Sequence, residues 1–481
     1  MEKSASHTTH KKEANMSLVT KPPVLDDTFA GKMDALIAAV GGSGCVLTVT
    51  VNREDGVAVE SGVTVIIETE VSGQSETKTV AYSGQPISVS IPKNASYRVS
   101  ASGTIGGYVT PAAAFGVALM STTVVLTYQA AKRYGYKREK AESNCADRIT
   151  YLFDAVGMTP AGMTYGSDHV GTFDYGSWES FINQVARPVM LNTDGSIAYE
   201  LDHEDQTKKI DGTHSEISDI TVDANAMVEF GSAFKWVKRY EDEDYEYVIF
   251  SNTQYDSDYH AYAHTGNDGE VKYAFYLGMW EGPIYSNKLR SISDGEAVSN
   301  TITMEVAITR AKANGTGHNI VPKLRWDYVA DLLTLISKTD NSQVAFGNGR
   351  QAMGSSVNNR GTTSELRSVG PFYGNNDNTH PVKVLWLVHW WGNTWQWLAG
   401  LVDYEGDLKY RNYGPYCDTP VSNPDYSTYT SAGLDAPQEG GGFQSETHMG
   451  DYGYLWTKTE GSASTYVPDR GNANNEQVSL P

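Results

Sequence analysis

Three cysteines, Cys45, Cys145 and Cys417, lie far apart in the chain. An odd number at such spacing makes neither a disulfide framework nor a zinc motif, so they read as isolated reduced thiols. Paired carboxylates are the other route to chemistry. Asp403 with Glu405 and Asp256 with Asp258 have the residue types that glycoside hydrolysis uses. With 58 acidic residues present, such pairs arise by chance, and solvated turn carboxylates are the expectation. Asp256, Asp258, Asn267 and Asp268 offer the oxygens that calcium takes, but their spacing matches no calcium loop. His389, beside Trp390, has the chemistry of a ligand or a base. A core histidine with one backbone partner is the plainer reading. No catalytic residue, metal ligand or cofactor is therefore assigned.

The chemistry left is recognition. Tyr426, Tyr429, Tyr452, Tyr454, Trp456 and Tyr466 sit in late stretches rich in Ser, Gly and Asn. Tyrosine gives rigid contact area and the small polar residues give adaptable hydrogen bonds, the composition of antibody paratopes. These six are the candidate ligand-binding residues. Trp395 and Trp397 have faces that suit sugar rings, but their period-two spacing makes them core.

The elements that must position these residues centre on Val384 to Asp403, which holds five of the ten tryptophans. So much aromatic area in one stretch requires burial. Gly392-Asn393 reads as a turn. Trp395, Trp397 and Ala399 then share one strand face, and Tyr404 to Asp407 reads as a hairpin turn. Thr301 or Thr303 starts a helix that ends before Gly315. Trp326 to Lys338 forms a second, with Trp326, Val329, Leu332, Leu333 and Ile336 on one face. Strands are expected over Ala186 to Leu191, Ala226 to Phe230, Phe234 to Lys238, Tyr245 to Ser251 and Val271 to Tyr276. Cys145 to Val156 is expected as a short helix within a linker, 132–165.

Upstream, residues 1–43 form a polar arm and an amphipathic helix. Phe29, Met33, Leu36, Ile37 and Val40 lie at helical spacing, which suits anchoring or oligomerisation. Residues 44–131 show seven short alternating strands separated by turn clusters, the pattern of an immunoglobulin-like sandwich. Val99 to Ala131 carries no charge, but its glycines, Pro111 and alternation mark strands rather than a membrane span. Met1 to Asn15 shows no secretion signal. A net charge of -21 argues against nucleic acid as a partner.

A set of blocks occurs in one order: Pro188-Val189-Met190-Leu191, Asp194 to Tyr199, Met227-Val228-Glu229-Phe230, Phe234-Lys235-Trp236, Asn287 to Ser293, Ala311 to Gly317, Asn341-Ser342-Gln343 and the tryptophan stretch. In these blocks, across about residues 145–478, the chain resembles phage tail-fibre and receptor-binding proteins with a C-type lectin fold. That fold is shared with formylglycine-generating enzymes and with variable target proteins of diversity-generating retroelements. The resemblance implies an α+β lectin-like domain over 166–481. It implies loops displayed to a bacterial cell-surface receptor, a homotrimer, and contact with other virion or tail subunits. A structural virion protein that docks only to other subunits is the alternative. The enzymes of the fold use a cysteine pair, which Cys417 with Cys145 at the domain edge does not offer, so no enzyme activity is expected. The family continues past Val478-Ser479-Leu480 into a further strand with its most variable positions, whereas this sequence ends at Pro481.

Overall fold

The computed structural model describes residues 44–111, 113–293, 302–350, 366–394, 396–420, 422–435, 446–458 and the backbone of 479–480. The expected N-terminal helix and Tyr466 lie outside these residues, as does Trp395. The chain divides into two compact units at Ala131/Lys132.

The first unit is built from β1 (Gly44–Arg53), β2 (Thr64–Val71), β3 (Gln74–Ala81), β4 (Ile87–Pro92), β5 (Ser96–Ser102), β6 (Tyr108–Val109), β7 (Ala114–Val117) and β8 (Thr122–Ala130). They form two four-stranded sheets, ordered β4-β1-β8-β6 and β3-β2-β5-β7. Along β1, Cys45, Leu47, Val49 and Val51 point inward and alternate with more exposed residues. They meet Val65, Ile67, Ile91, Val99, Leu126 and Tyr128 in one core. Eight strands form where seven are expected, because the stretch from Tyr108 to Val117 is divided in two. Pro111 lies between β6, which pairs with β8, and β7, which pairs with β5. A proline has no N–H for a ladder, so the chain changes sheet there.

The second unit begins with β9 (Arg133–Glu139), β10 (Ile149–Phe153), β11 (Gly162–Tyr165), β12 (Gly171–Asp174), β13 (Ala186–Asn192), β14 (Ile197–Glu200), β15 (Ala224–Phe230), β16 (Trp236–Glu241), β17 (Tyr245–Ser251) and β18 (Phe275–Gly278). Two antiparallel sheets dominate, β10-β9-β17-β16 and β14-β13-β15-β18. Helices α1 (Glu179–Val185), α2 (Met304–Lys312) and α3 (Lys323–Ser337) pack among them. The later strands pair as small sheets of two or three.

The α+β, lectin-like class expected for the larger region is not what the chain builds. Among the described residues strand accounts for 41% and helix for 11%, so the described part is mainly β, in many small antiparallel sheets. The expected linker and helix over 132–165 are part of the difference. The linker supplies β9, flanked by β10 and β17, and Cys145 to Val156 contains β10. Thr150, Tyr151 and Phe153 favour a pleated surface. In β9 the charge-rich composition conceals the alternation: Tyr136 and Arg138 both face inward, and Arg138 Nε donates to Glu246 Oε2 at 2.7 Å.

Both expected helices form. The Thr303 side chain caps α2 by accepting from Val306 N at 3.4 Å, one orphan donor satisfied. Helix α3 is buried all round, with only Arg325 partly exposed, which exceeds the single apolar face expected. In the tryptophan stretch, Trp386, Trp390 and Trp391 are buried, and Trp390 stacks on Trp326 of α3 at 4.0 Å. Gly392 and Asn393 turn the chain with φ of 77° and 61°. The strand after the turn is short, Gln396–Trp397. Trp397 is half-buried while Leu398 and Ala399 are both buried, so strict alternation fails.

Lys383 is fully enclosed in this unit. Its Nζ donates to Gln206 Oε1 at 2.7 Å and to the carbonyls of Leu366 at 2.8 Å and Val369 at 2.7 Å. Burial lowers its pKa to about 7, against a raising effect of Glu204. The unfolded chain keeps the proton up to about pH 10, so it binds more protons than the folded one between the two values. Stability contributed by this site is therefore absent below about pH 7 and rises toward pH 9.5, by at most about 1.4 kcal/mol per unit. Urea unfolding of Lys383→Met against the parent over that window is expected to show this slope removed.

Candidate functional site

The late strands and loops carry the expected recognition residues, and the structure sorts them. The strands Leu401–Tyr404, Asp407–Tyr410 and Thr430–Asp435 form one sheet. Tyr404, Tyr426 and Tyr429 meet edge to face, with centroids 5.3 Å and 5.1 Å apart, and all three are half-buried. The Tyr426 hydroxyl donates to the Pro420 carbonyl at 3.3 Å, and Tyr429 Oη accepts from Cys417 N at 3.2 Å. Half-buried Tyr452 packs against Tyr410 at 5.5 Å. Burial pushes the phenols of Tyr426 and Tyr429 up, and that of Tyr452 up to about 12. All three remain protonated donors at neutral pH.

Tyr454 and Trp456 correct the expectation. Both lie on the strand Gly453–Lys458 and are buried in the main core. Tyr454 N donates to Asp327 Oδ2 of α3 at 3.0 Å. A side chain enclosed on both faces presents nothing to a ligand. The other sequence candidates are ordinary structure. Asp403 Oδ1 accepts from Gly406 N at 3.1 Å and closes the hairpin turn. Asp258 and Asp256 lie 2.6 Å and 3.5 Å from Lys238 Nζ, and Asp268 pairs with Lys272. The three cysteines are free, Cys45 buried and the others half-exposed.

A cavity of about 260 Å³ lies elsewhere in the second unit. Residues from the end of β18, the segment after it, α2, the chain before α3 and the tryptophan stretch line it. Its apolar wall includes Met227, Leu277, Ile320 and Val388, with Trp280, Trp390 and Trp397. Its polar groups include Glu281, Arg290, Asn314, His318 and His389. Glu281 is held by the turn: Asn393 Nδ2 donates to Oε2 and Thr394 Oγ1 to Oε1, both at 2.5 Å. Burial raises its carboxyl to about 7, against the lowering effect of those two bonds. His389 is buried, and burial holds its imidazole neutral with a pKa near 3. Among the described residues its expected backbone partner does not appear: neither ring nitrogen of His389 has a hydrogen-bond partner there, nor does Trp280 Nε1. An apolar cavity with a few convergent polar groups and a shifted carboxyl is the general form of a small-ligand site.

Sequence reasoning singled out His389 but missed Glu281, Trp280 and His318. No local motif marks them, because Glu281 meets its partners across more than a hundred residues. Among the described residues no group of three His, Cys, Asp or Glu side chains is placed to hold a metal. No described helix is long and apolar enough to cross a membrane.

No protein-family model matches the chain, and no curated protein matches it. Among solved structures, a streptococcal ancillary pilin is similar at 12% identity and a TM-score of 0.15, over 33% of this chain and 44% of that one. The shaft pilin SpaA of Lactobacillus rhamnosus GG is similar at 14% identity and 0.16, over 36% and 67%. The full-length major pilin SpaD of Corynebacterium diphtheriae gives 12% and 0.16, over 44% and 56%. The chain thus spans less than half the length of the streptococcal pilin. TM-scores this low carry no assignment of fold or role.

Proposed function

We propose that the chain is a receptor-binding protein of a phage virion, carried at a tail or surface fibre, that attaches to a bacterial cell-surface receptor. The observation that supports it best is the set of half-buried tyrosines on the late strands and loops. Tyr404, Tyr426 and Tyr429 form one aromatic cluster, and Tyr410 with Tyr452 a second contact. Rings fixed against each other lose little entropy on binding, while their exposed edges are available to a protein or glycan. The ordered sequence blocks supply the phage context. They also supply the expectation of a homotrimer that contacts other virion subunits.

The test is attachment of the purified full chain, sized by light scattering, to intact candidate host cells. Saturable binding that competes with phage adsorption is the expected result. Tyr426→Ala and Tyr429→Ala together should weaken it at least about tenfold, the cost of losing one aromatic anchor. Stable complexes with virion subunits and no cell binding would replace this reading with a purely structural role. Release of cleaved surface polysaccharide would replace it with a hydrolase.

A further inference from the structure

The cavity contains an acidic group that no cationic side chain among the described residues balances. The Glu281 carboxyl bonds to Asn393 Nδ2 and Thr394 Oγ1, both neutral donors, and no cation enters its electrostatic surroundings. Buried carboxylates are normally matched by a cation or by a denser set of donors. The charged neighbours are committed elsewhere. Arg290 is bonded to Asn225 Oδ1 at 3.0 Å and to the carbonyls of Val222 at 2.7 Å and Ala224 at 2.6 Å. Lys288, whose charge acts on His318, pairs with Asp223 at 2.8 Å. The Arg350 charge opposes protonation of His389. Both histidines are held neutral by burial, so neither supplies the missing positive charge.

The walls favour a cation as well. Trp280, Trp390 and Trp397 line the cavity, and the negative face of an indole attracts an ammonium group. Trp280 is 3% and His389 4% exposed, yet among the described residues Trp280 Nε1 and both His389 ring nitrogens lack partners. An imidazole nitrogen accepts from an amine N–H or a hydroxyl, and the indole N–H donates to an oxygen. We propose that this cavity binds a small organic ammonium ion, a primary or methylated amine on a compact body with one further polar group. The site is separate from the tyrosine clusters and does not depend on their role.

Isothermal titration of the full chain with choline, and with its neutral carbon isostere 3,3-dimethylbutan-1-ol, tests this at pH 8.5, where Glu281 is ionised. Saturable one-site binding of choline is expected, with the neutral isostere at least about tenfold weaker. Binding should fall by a similar factor at pH 5.5, where Glu281 holds its proton. It should fall likewise in Glu281→Gln at pH 8.5, with the variant's fold checked by its near-ultraviolet circular dichroism. The comparison of choline with its isostere uses only the parent protein, so it decides even if the variant does not fold. Equal affinity for the two ligands, or no saturation by choline, primary amines and tetramethylammonium alike, overturns the proposal.

Discussion

Replacing Asp327 by alanine lowers the stability of the second unit by about 3–5 kcal/mol, the cost of leaving a buried charge without its partner. Asp327 is 1% exposed and Lys323, one turn earlier on α3, is 4% exposed. Asp327 Oδ2 accepts from Lys323 Nζ and from Tyr454 N, while Lys323 Nζ also donates to the Tyr454 carbonyl. One ion pair thus satisfies both backbone groups of Tyr454 and clamps the hairpin Glu446–Gly450/Gly453–Lys458 to the helix. Alanine removes the carboxylate that pairs with the enclosed Lys323 ammonium and accepts from Tyr454 N. Replacing both charges, as in Lys323→Met with Asp327→Leu, should recover part of the loss, because no uncompensated charge remains. Denaturant unfolding followed by tryptophan fluorescence measures this cleanly. All ten tryptophans lie at or beyond Trp178, so the signal reports the second unit alone. A shift under about 1 kcal/mol for the single variant would mean that water reaches Lys323 and that the clamp is not enclosed.

The same pair shows why composition misled at Tyr454 and Trp456. A Tyr-, Ser- and Gly-rich stretch is a paratope only if its side chains face solvent. Tyr454, Leu455 and Trp456 are consecutive and all buried, which erases the period-two signal that marks a half-exposed strand. In the first unit that signal is intact, since each sheet has one covered face, and its strands could be read directly. Helices α2 and α3 were legible for a related reason. Apolar residues recur at helical spacing, and Thr303 stands where a cap belongs. By contrast, β9 was hidden because Arg138 faces the core, and the carboxylate that makes this tolerable, Glu246, is 108 residues away. Glu281 was invisible on the same ground, with Asn393 and Thr394 at separations of 112 and 113. Local pattern reports local packing. Polar groups brought together across long sequence separation leave no trace in it, and in this chain the polar lining of the cavity is made of such groups.

Trp386→Ala should cost the second unit about 3–5 kcal/mol, the range for deleting a fully buried tryptophan. The side chain is 0% exposed, meets His203 edge to face at 5.4 Å, and donates from Nε1 to the His203 carbonyl at 2.8 Å. Alanine leaves a cavity and removes one of two donors to that carbonyl, which keeps Gln206 Nε2 at 3.0 Å, whereas Trp386→Phe keeps most of the contact area and should cost about half as much. The backbone adds a sharper expectation. Leu385, Trp386 and His389 have φ of 47°, 62° and 56°, a left-handed conformation that costs an L-residue about 1–2 kcal/mol and glycine almost nothing. Glycine is normally the less stable replacement in an ordered segment, because its unfolded chain has more freedom to lose. At position 386 the order should invert, with Trp386→Gly at least as stable as Trp386→Ala under the same fluorescence assay. Were alanine the more stable by about 1 kcal/mol, the backbone would have relaxed out of the left-handed region once the indole was gone. The strain would then be imposed by the packing of the tryptophan and not by the path of the chain around it. The inverted order would instead mean that the turn-rich path from Lys383 to Asn393 is held by its neighbours. In that case the walls that Val388, His389 and Trp390 give the cavity are fixed before any ligand arrives.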